Sequence, residues 1–250
     1  MEKLPYSEYE WVPNASDFNF ESINLDGDTG YILEVDLEYP KKYHYLHNDF
    51  PLAPETSEIG LDKISKYSKK CFLASNNTDK YKTKKLVSTC FDRENYVVHI
   101  KNLRLYVGLG MKVKKIHRVL KFHQKSFLKP FIQKCTEERK KAVTLFEKNQ
   151  FKKVSNSCFG KTIENVRDYI SVKLHTNEKT FKKAMSKHTF KNFSIIDENL
   201  VVTSHVLPKI LHNKPYAIGF TILELVSKVL RFTFCLLFYL LSLNFQNFEL

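Results

Sequence analysis

Glycine is scarce in this sequence, with 7 in 250 residues, which excludes a collagen-like chain or a glycine-rich linker. Cysteine is also sparse. Cys71, Cys90, Cys135, Cys158 and Cys235 form no C-x-x-C pair and no even set. Neither a zinc ribbon nor a secreted disulfide framework is indicated, and an intracellular, reducing compartment is the simpler expectation. The N-terminus, Met1-Glu2-Lys3-Leu4-Pro5-Tyr6, lacks the basic-then-apolar pattern of an export signal. The apolar run Phe232 to Leu243 is 12 residues without charge. A spanning helix needs roughly 18 to 20, so a membrane partner is not expected and the tail 226–250 stands apart from the rest.

What the chain does have is enough apolar residue, 43%, and little enough charge, 27%, to fold around a core of one large or two modest domains. Its 40 lysines and arginines against 27 acids leave a net +13, which calls for a polyanionic partner such as nucleic acid or an anionic surface. That charge is unevenly laid out. Residues 1–60 hold 3 basic and 13 acidic side chains, a net −10, whereas residues 111–161 hold 15 and 3, a net +12.

The acidic quarter reads as loop and strand: the turn Asp26-Gly27-Asp28-Thr29-Gly30 leads a period-2 run from Tyr31 to Tyr39 that Pro40 ends. Residues 62–85, rich in lysine, serine and asparagine, read as a mobile surface loop. Tyr96 to Ile100 is β-prone, and Met111 to Phe122 mixes basic and apolar residues in a strand-like way up to Pro130. From Thr136, a candidate N-cap ahead of Glu137 and Glu138, apolar residues recur at helical steps, so 137–165 is expected to be helical with at most one break. The expected class is therefore α+β.

One segment carries chemistry. On a helix, Lys148, Lys152, Asn156 and Phe159 share a side, presenting cations, an amide and a flat ring in order. That arrangement suits a nucleotide, with ammonium to phosphate, amide to sugar or backbone, and ring to base. Gly160 leaves no side chain where another backbone or a template strand could come close. The plain alternative is an amphipathic helix with solvated lysines and a core phenylalanine.

The spacing Lys152-x-x-x-Asn156-Ser157-x-Phe159-Gly160 resembles the fingers-helix motif of family B DNA polymerases, in particular the protein-primed branch of Maverick or Polinton-type mobile elements and related viruses. Further stretches resemble that group in the same order: Gly30 to Pro40, His47 to Glu55, Leu109 to Leu120, Phe127 to Pro130, Thr136 to Ala142, Phe159 to Asn165 and Lys214 to Glu224. The resemblance covers residues 1–225 and implies part of a right-hand polymerase. Its segments would be a palm-proximal acidic strand region at 1–40, an insertion region at 41–110 that could contact a terminal priming protein, and a basic fingers region at 111–165. A palm-proximal continuation at 166–225 and a divergent tail at 226–250 would follow.

By this resemblance Lys152 would hold the triphosphate of an incoming dNTP, and Asn156, Phe159 and Gly160 would shape the nascent base-pair pocket. Most relatives of the wider family have tyrosine where Phe159 stands. Arg139 and Lys140 both qualify as a second phosphate cation, and spacing does not choose between them. The expected contacts to DNA template and primer are Lys112, Lys114, Lys115, Arg118, Lys153 and Lys161. Family polymerases transfer nucleotides with two Mg2+ ions bridged by two aspartates, one in D-x-x-x-L-Y and one in Y-x-D-T-D. Neither motif occurs here, so no catalytic residue is assigned and this chain alone is expected to be inactive. Glu34, Asp36 and Glu38 point to one strand face and imitate the first motif, and His44, His47 and Asp49 could be drawn into a metal site. Hydrated carboxylates and a set lacking a convergent fourth ligand are the plainer readings. The alternative function is a non-catalytic, basic nucleic-acid-binding remnant of a mobile element.

Overall fold

In the computed structural model, residues 2–62, 64–75 and 84–226 are described. The expected tail at 226–250, with Cys235 and the Phe232–Leu243 run, falls outside them from residue 227 onward, as does the middle of the 62–85 stretch. The chain is mixed α+β with antiparallel sheets, and it divides into two compact units: 1–127 with 221–250, and 128–220. The basic strand expected to belong with the fingers helix at 111–165 therefore lies in the first unit, and the helices lie in the second.

The first unit is built on a four-stranded sheet in the order β1 (Leu4–Trp11), β6 (Lys112–Lys125), β2 (Thr29–Glu38), β5 (Arg93–His99). Short strands β3 (Glu55–Ser57) and β4 (Lys85–Val87) pair separately. Helix α1 (Lys66–Ala74), capped by Ser65, occupies part of what reads in the sequence as a loop, because lysines and serines suit an exposed helix as well as a coil. The period-2 run of β2 places Leu33, Val35 and Leu37 in the core, against Leu103 and Tyr106 of α2 (Ile100–Gly108), Val98 and Val119. Glu34, Asp36 and Glu38 take the opposite face.

β6 is the long partner of β2, and its apolar residues come every third position, not every second. Register explains this. Leu33 faces Val119, Val35 faces Ile116 and Leu37 faces Val113, with a shift after Glu34 and another after Asp36. Each shift inserts one extra residue in β6, first His117 and then Lys114, so Val119, Ile116 and Val113 all stay on the core side. The extra residues reach sideways: His117 Nε2 lies 2.8 Å from Asp36 and Lys114 Nζ lies 2.7 Å from Asp92.

The Tyr39–Pro54 segment is clamped and not loose. The Tyr39 hydroxyl meets His47 Nδ1 at 2.8 Å and accepts the Leu52 N–H at 3.2 Å. Ala53, with a left-handed φ of 50°, offers its carbonyl to Arg93 Nε at 2.8 Å. Arg93 is 1% exposed and also donates to the carbonyls of Thr89 and Phe91, both at 2.8 Å.

The second unit begins with a helical hairpin, α3 (Lys129–Lys141) and α4 (Leu145–Thr162), and continues through β7 (Ile170–His175), α5 (Glu178–Met185), β8 (Phe190–Asp197) and β9 (Leu200–Val206) in a sheet of order β7-β9-β8. Residues 216–226 form a further helix, α6. Thr136 is not an N-cap. It lies inside α3, its hydroxyl donating to the Ile132 carbonyl at 2.8 Å, because Pro130 in the first turn starts that helix earlier. The cap of α4 is Thr144.

Replacing Arg93 by methionine keeps much of its volume but removes the donor to the buried Ala53 carbonyl and the part-buried bonds to Thr89 and Phe91. We expect a loss of about 3 kcal/mol, read as a lowered urea midpoint at unchanged m.

Candidate nucleotide-binding site

α4 packs along α3 and is fixed at both ends. At the N-terminus the Thr144 hydroxyl accepts the Glu147 N–H at 3.2 Å, and the Glu147 carboxylate accepts the N–H groups of Thr144 at 3.1 Å and Val143 at 3.2 Å. This capping box satisfies donors that the first turn leaves open and holds the Glu147 carboxyl below its ordinary range. At the C-terminus Glu164 takes Lys161 at 2.7 Å and Lys214 at 3.0 Å. Those ammonium groups and the Tyr169 hydroxyl lower its carboxyl to about 2, with the Lys161 hydrogen bond the largest cause. Close by, a Cβ on Gly219 would collide with Ile163 and lie 2.6 Å from Thr162 Oγ1, so α6 approaches the end of α4 more closely than a side chain permits.

Between these anchors none of the 18 residues of α4 is buried. Lys148, Lys152, Lys153 and Asn156 are exposed, Phe159 is half-buried, and Gly160 has no atom within 4 Å of where a Cβ would stand. The i, i+4, i+7 spacing of Lys152, Asn156 and Phe159 sets cation, amide and ring along one side of a real helix. Phe159 is partly packed, so the plain alternative of an amphipathic helix with solvated lysines stands beside the nucleotide reading. Arg139 and Lys140 are exposed on the last turn of α3, and neither forms an ion pair among the described residues.

The expected DNA contacts of the basic strand have a different setting. Lys114 pairs with Asp92, Arg118 with Glu34, and Lys112 approaches Glu38 at 3.9 Å. Lys115 lies opposite Asp36 in register and helps to lower its carboxyl, mainly held down by the Asn95 N–H and His117. Arg118 also sits 5.5 Å over the Trp11 ring. Lys161, on α4, is engaged by Glu164, and Lys153 is exposed without an ion pair among the described residues.

Magnesium finds no fitting donors in the acidic strand. Glu34 and Glu38 each face a cation of β6, and Asp36 lies 2.8 Å from His117 Nε2 and accepts the Asn95 N–H at 2.8 Å. A divalent ion there would have to displace these partners. His44 and His47 are turned onto Tyr39, through its carbonyl at 3.1 Å and its hydroxyl at 2.8 Å, and burial lowers the pKa of His47. Among the described residues no group of three or more His, Cys, Asp or Glu could hold a metal ion, and no helix is long and apolar enough to cross a membrane.

Sequence reasoning did not find Glu147 and Glu164, the residues that fix α4. The Thr144-x-x-Glu147 spacing was a readable signal for the first. Nothing local announces the second, because Lys214 is fifty residues away. No protein-family model, curated protein or solved structure matches the chain.

Glu164 gives a pH signature. A carboxyl lowered in the folded state stabilises it above the ordinary value of 4.5, and the contribution is lost as pH falls from there to about 2. Comparing the melting midpoint of the wild type with that of Glu164→Gln, we expect the gap in favour of the wild type to close over that interval.

Proposed function

We propose that this chain is the nucleotide-binding part of a protein-primed family B DNA polymerase, incomplete as regards the metal-binding carboxylates. The observation that carries the reading is the side of α4 on which exposed Lys152 and Asn156 precede a half-buried Phe159 and an unobstructed Gly160. An ammonium in that place neutralises triphosphate oxygens, the carboxamide offers both a donor and an acceptor to the sugar or a base edge, and the ring supplies a stacking plane. Exposed Arg139 and Lys140 are candidates for a second phosphate contact. The reaction of the complete enzyme is attack of a primer hydroxyl on the α-phosphate of a dNTP, templated by DNA. Mg2+ would supply charge stabilisation there through carboxylates this chain lacks. A terminal priming protein is the partner proposed for 41–110.

A second reading, a non-catalytic nucleic-acid-binding module, is favoured by one observation. The acidic strand that imitates a catalytic motif has its carboxylates turned to side chains of the neighbouring strand, Glu34 to Arg118, Asp36 to His117 and Glu38 to Lys112. A labelled-dNTP titration beside a DNA-binding assay separates the two. Saturable dNTP binding by the purified chain supports the polymerase part, and salt-sensitive DNA binding without dNTP binding supports the module.

Lys152→Ala removes a charge-assisted contact from the proposed triphosphate site. We expect labelled-dNTP binding to weaken roughly tenfold to a hundredfold in a fluorescence titration. Phe159→Tyr should bind at least as well as the wild type. Unchanged affinity in Lys152→Ala would remove the polymerase reading.

A further inference from the structure

The turn between α3 and α4 carries an apolar cluster that nothing in the helical hairpin uses. Val143 is 87% exposed, Leu145 74% and Phe146 77%, three large apolar side chains within four residues. An apolar residue just before an N-cap ordinarily packs on the fifth residue after it, but here that position is Lys148, so Val143 has no staple to form. Nor is the turn a slack loop. Glu147 accepts the N–H groups of both Val143 and Thr144, and Ala142 N–H is bonded to the Glu138 carbonyl at 3.0 Å. The three side chains are thus displayed on a fixed point, at the cost of leaving them in water.

The surroundings of that point are cationic. α3 and α4 together hold nine lysines and arginines against three glutamates. Of the glutamates, Glu147 is spent on the turn itself and Glu138 is paired with Lys141 at 3.0 Å, leaving Glu137. Arg139, Lys140 and Lys148 form no ion pair among the described residues. An apolar point ringed by unneutralised cations fits a polyanion whose interior is apolar and flat, which describes stacked bases between phosphate backbones. A lipid surface fits less well, because a helix lying in an interface spreads its apolar residues along one side, and α4 gathers its most exposed ones at one end while lysines and Asn156 occupy its length.

We propose that Phe146, with Val143 and Leu145, is a wedge that enters the base stack of nucleic acid where single strand meets duplex, while Arg139, Lys140 and Lys148 hold the flanking phosphates. This rests on the nucleic-acid reading above; it gives Arg139, Lys140 and Lys148 to the phosphates of the DNA in place of the triphosphate and leaves the dNTP site to Lys152, Asn156 and Phe159. Unpaired bases at a fork admit the ring at lower cost than an intact duplex does.

The test uses the full chain and a forked DNA with 2-aminopurine at the junction. Wild-type binding should raise the 2-aminopurine emission by unstacking it. Phe146→Ala should abolish the rise and weaken fork binding about tenfold, with plain-duplex affinity and its salt slope unchanged. Phe146→Trp should retain the rise, and far-UV circular dichroism of both variants should match the wild type. Wild-type binding to the fork without any emission change overturns the wedge and leaves the nucleic-acid reading standing. Loss of all salt-sensitive DNA binding overturns both. Phe146-dependent sedimentation with phosphatidylserine vesicles, with no effect on the fork, assigns the point to a membrane surface instead.

Discussion

The pairing of an acidic strand with a basic one underlies the first unit. β2 carries Glu34, Asp36 and Glu38 on the side away from the core, and β6 answers them with Arg118, His117 and Lys112. Solvent screens these pairs, so the ladder is a minor source of stability. Its larger effect is on register. A slip of one residue would carry Leu33, Val35 and Leu37 off the core side and set the carboxylates against Val119, Ile116 and Val113. Apolar and charged patterns thus specify the same alignment, with the bulges at His117 and Lys114 as its cost in regularity.

This pairing also changes what the net charge means. A surplus of +13 looks like a general affinity for polyanions, and the densest run of cations includes β6. Yet five acidic side chains of residues 1–60 lie against that strand, Glu34, Asp36 and Glu38 of β2 on one side and Glu8 and Glu10 of β1, which reach His123 and Lys121 at 3.3 and 3.7 Å, on the other. On the hairpin of the second unit, by contrast, Lys148, Lys152, Lys153, Arg139 and Lys140 stand exposed without an ion pair among the described residues. Segregation along the chain becomes cancellation in one unit and excess in the other.

Legibility in the sequence follows the range of the forces involved. β2 is readable because its alternation is local, and the side of α4 bearing Lys152, Asn156 and Phe159 is readable because helical spacing is local. β6 is harder: apolar residues at 113, 116 and 119 have a near-helical period, and only the partner strand shows that bulges produce it. The helix start at Lys129 was hidden by treating Pro130 as a terminator when, in a first turn, it is an initiator. The strands β7, β8 and β9 carry β-branched residues, as in Leu200–Val206, and pair only with one another. Long-range clamps had no sequence signal. Glu224 accepts the His99 N–H at 3.2 Å and Asn102 Nδ2 at 2.9 Å across more than a hundred residues, and Arg93 reaches Ala53 across forty.

The acidic strand bears on how such a chain could take part in nucleotidyl transfer. A two-metal mechanism requires carboxylates with open lone pairs facing the reacting phosphate. Asp36 has one oxygen on the Asn95 N–H and the other on His117, and its lowered pKa has those two contacts as its leading causes. Asn95 stands in a left-handed conformation, φ 50°, that the carboxylate helps to hold, so freeing Asp36 for a metal would disturb the β5 edge as well as the β6 ladder. The carboxylates are therefore parts of the sheet. Under the proposed function, metal ligands would have to be sought on carboxylates other than Glu34, Asp36 and Glu38.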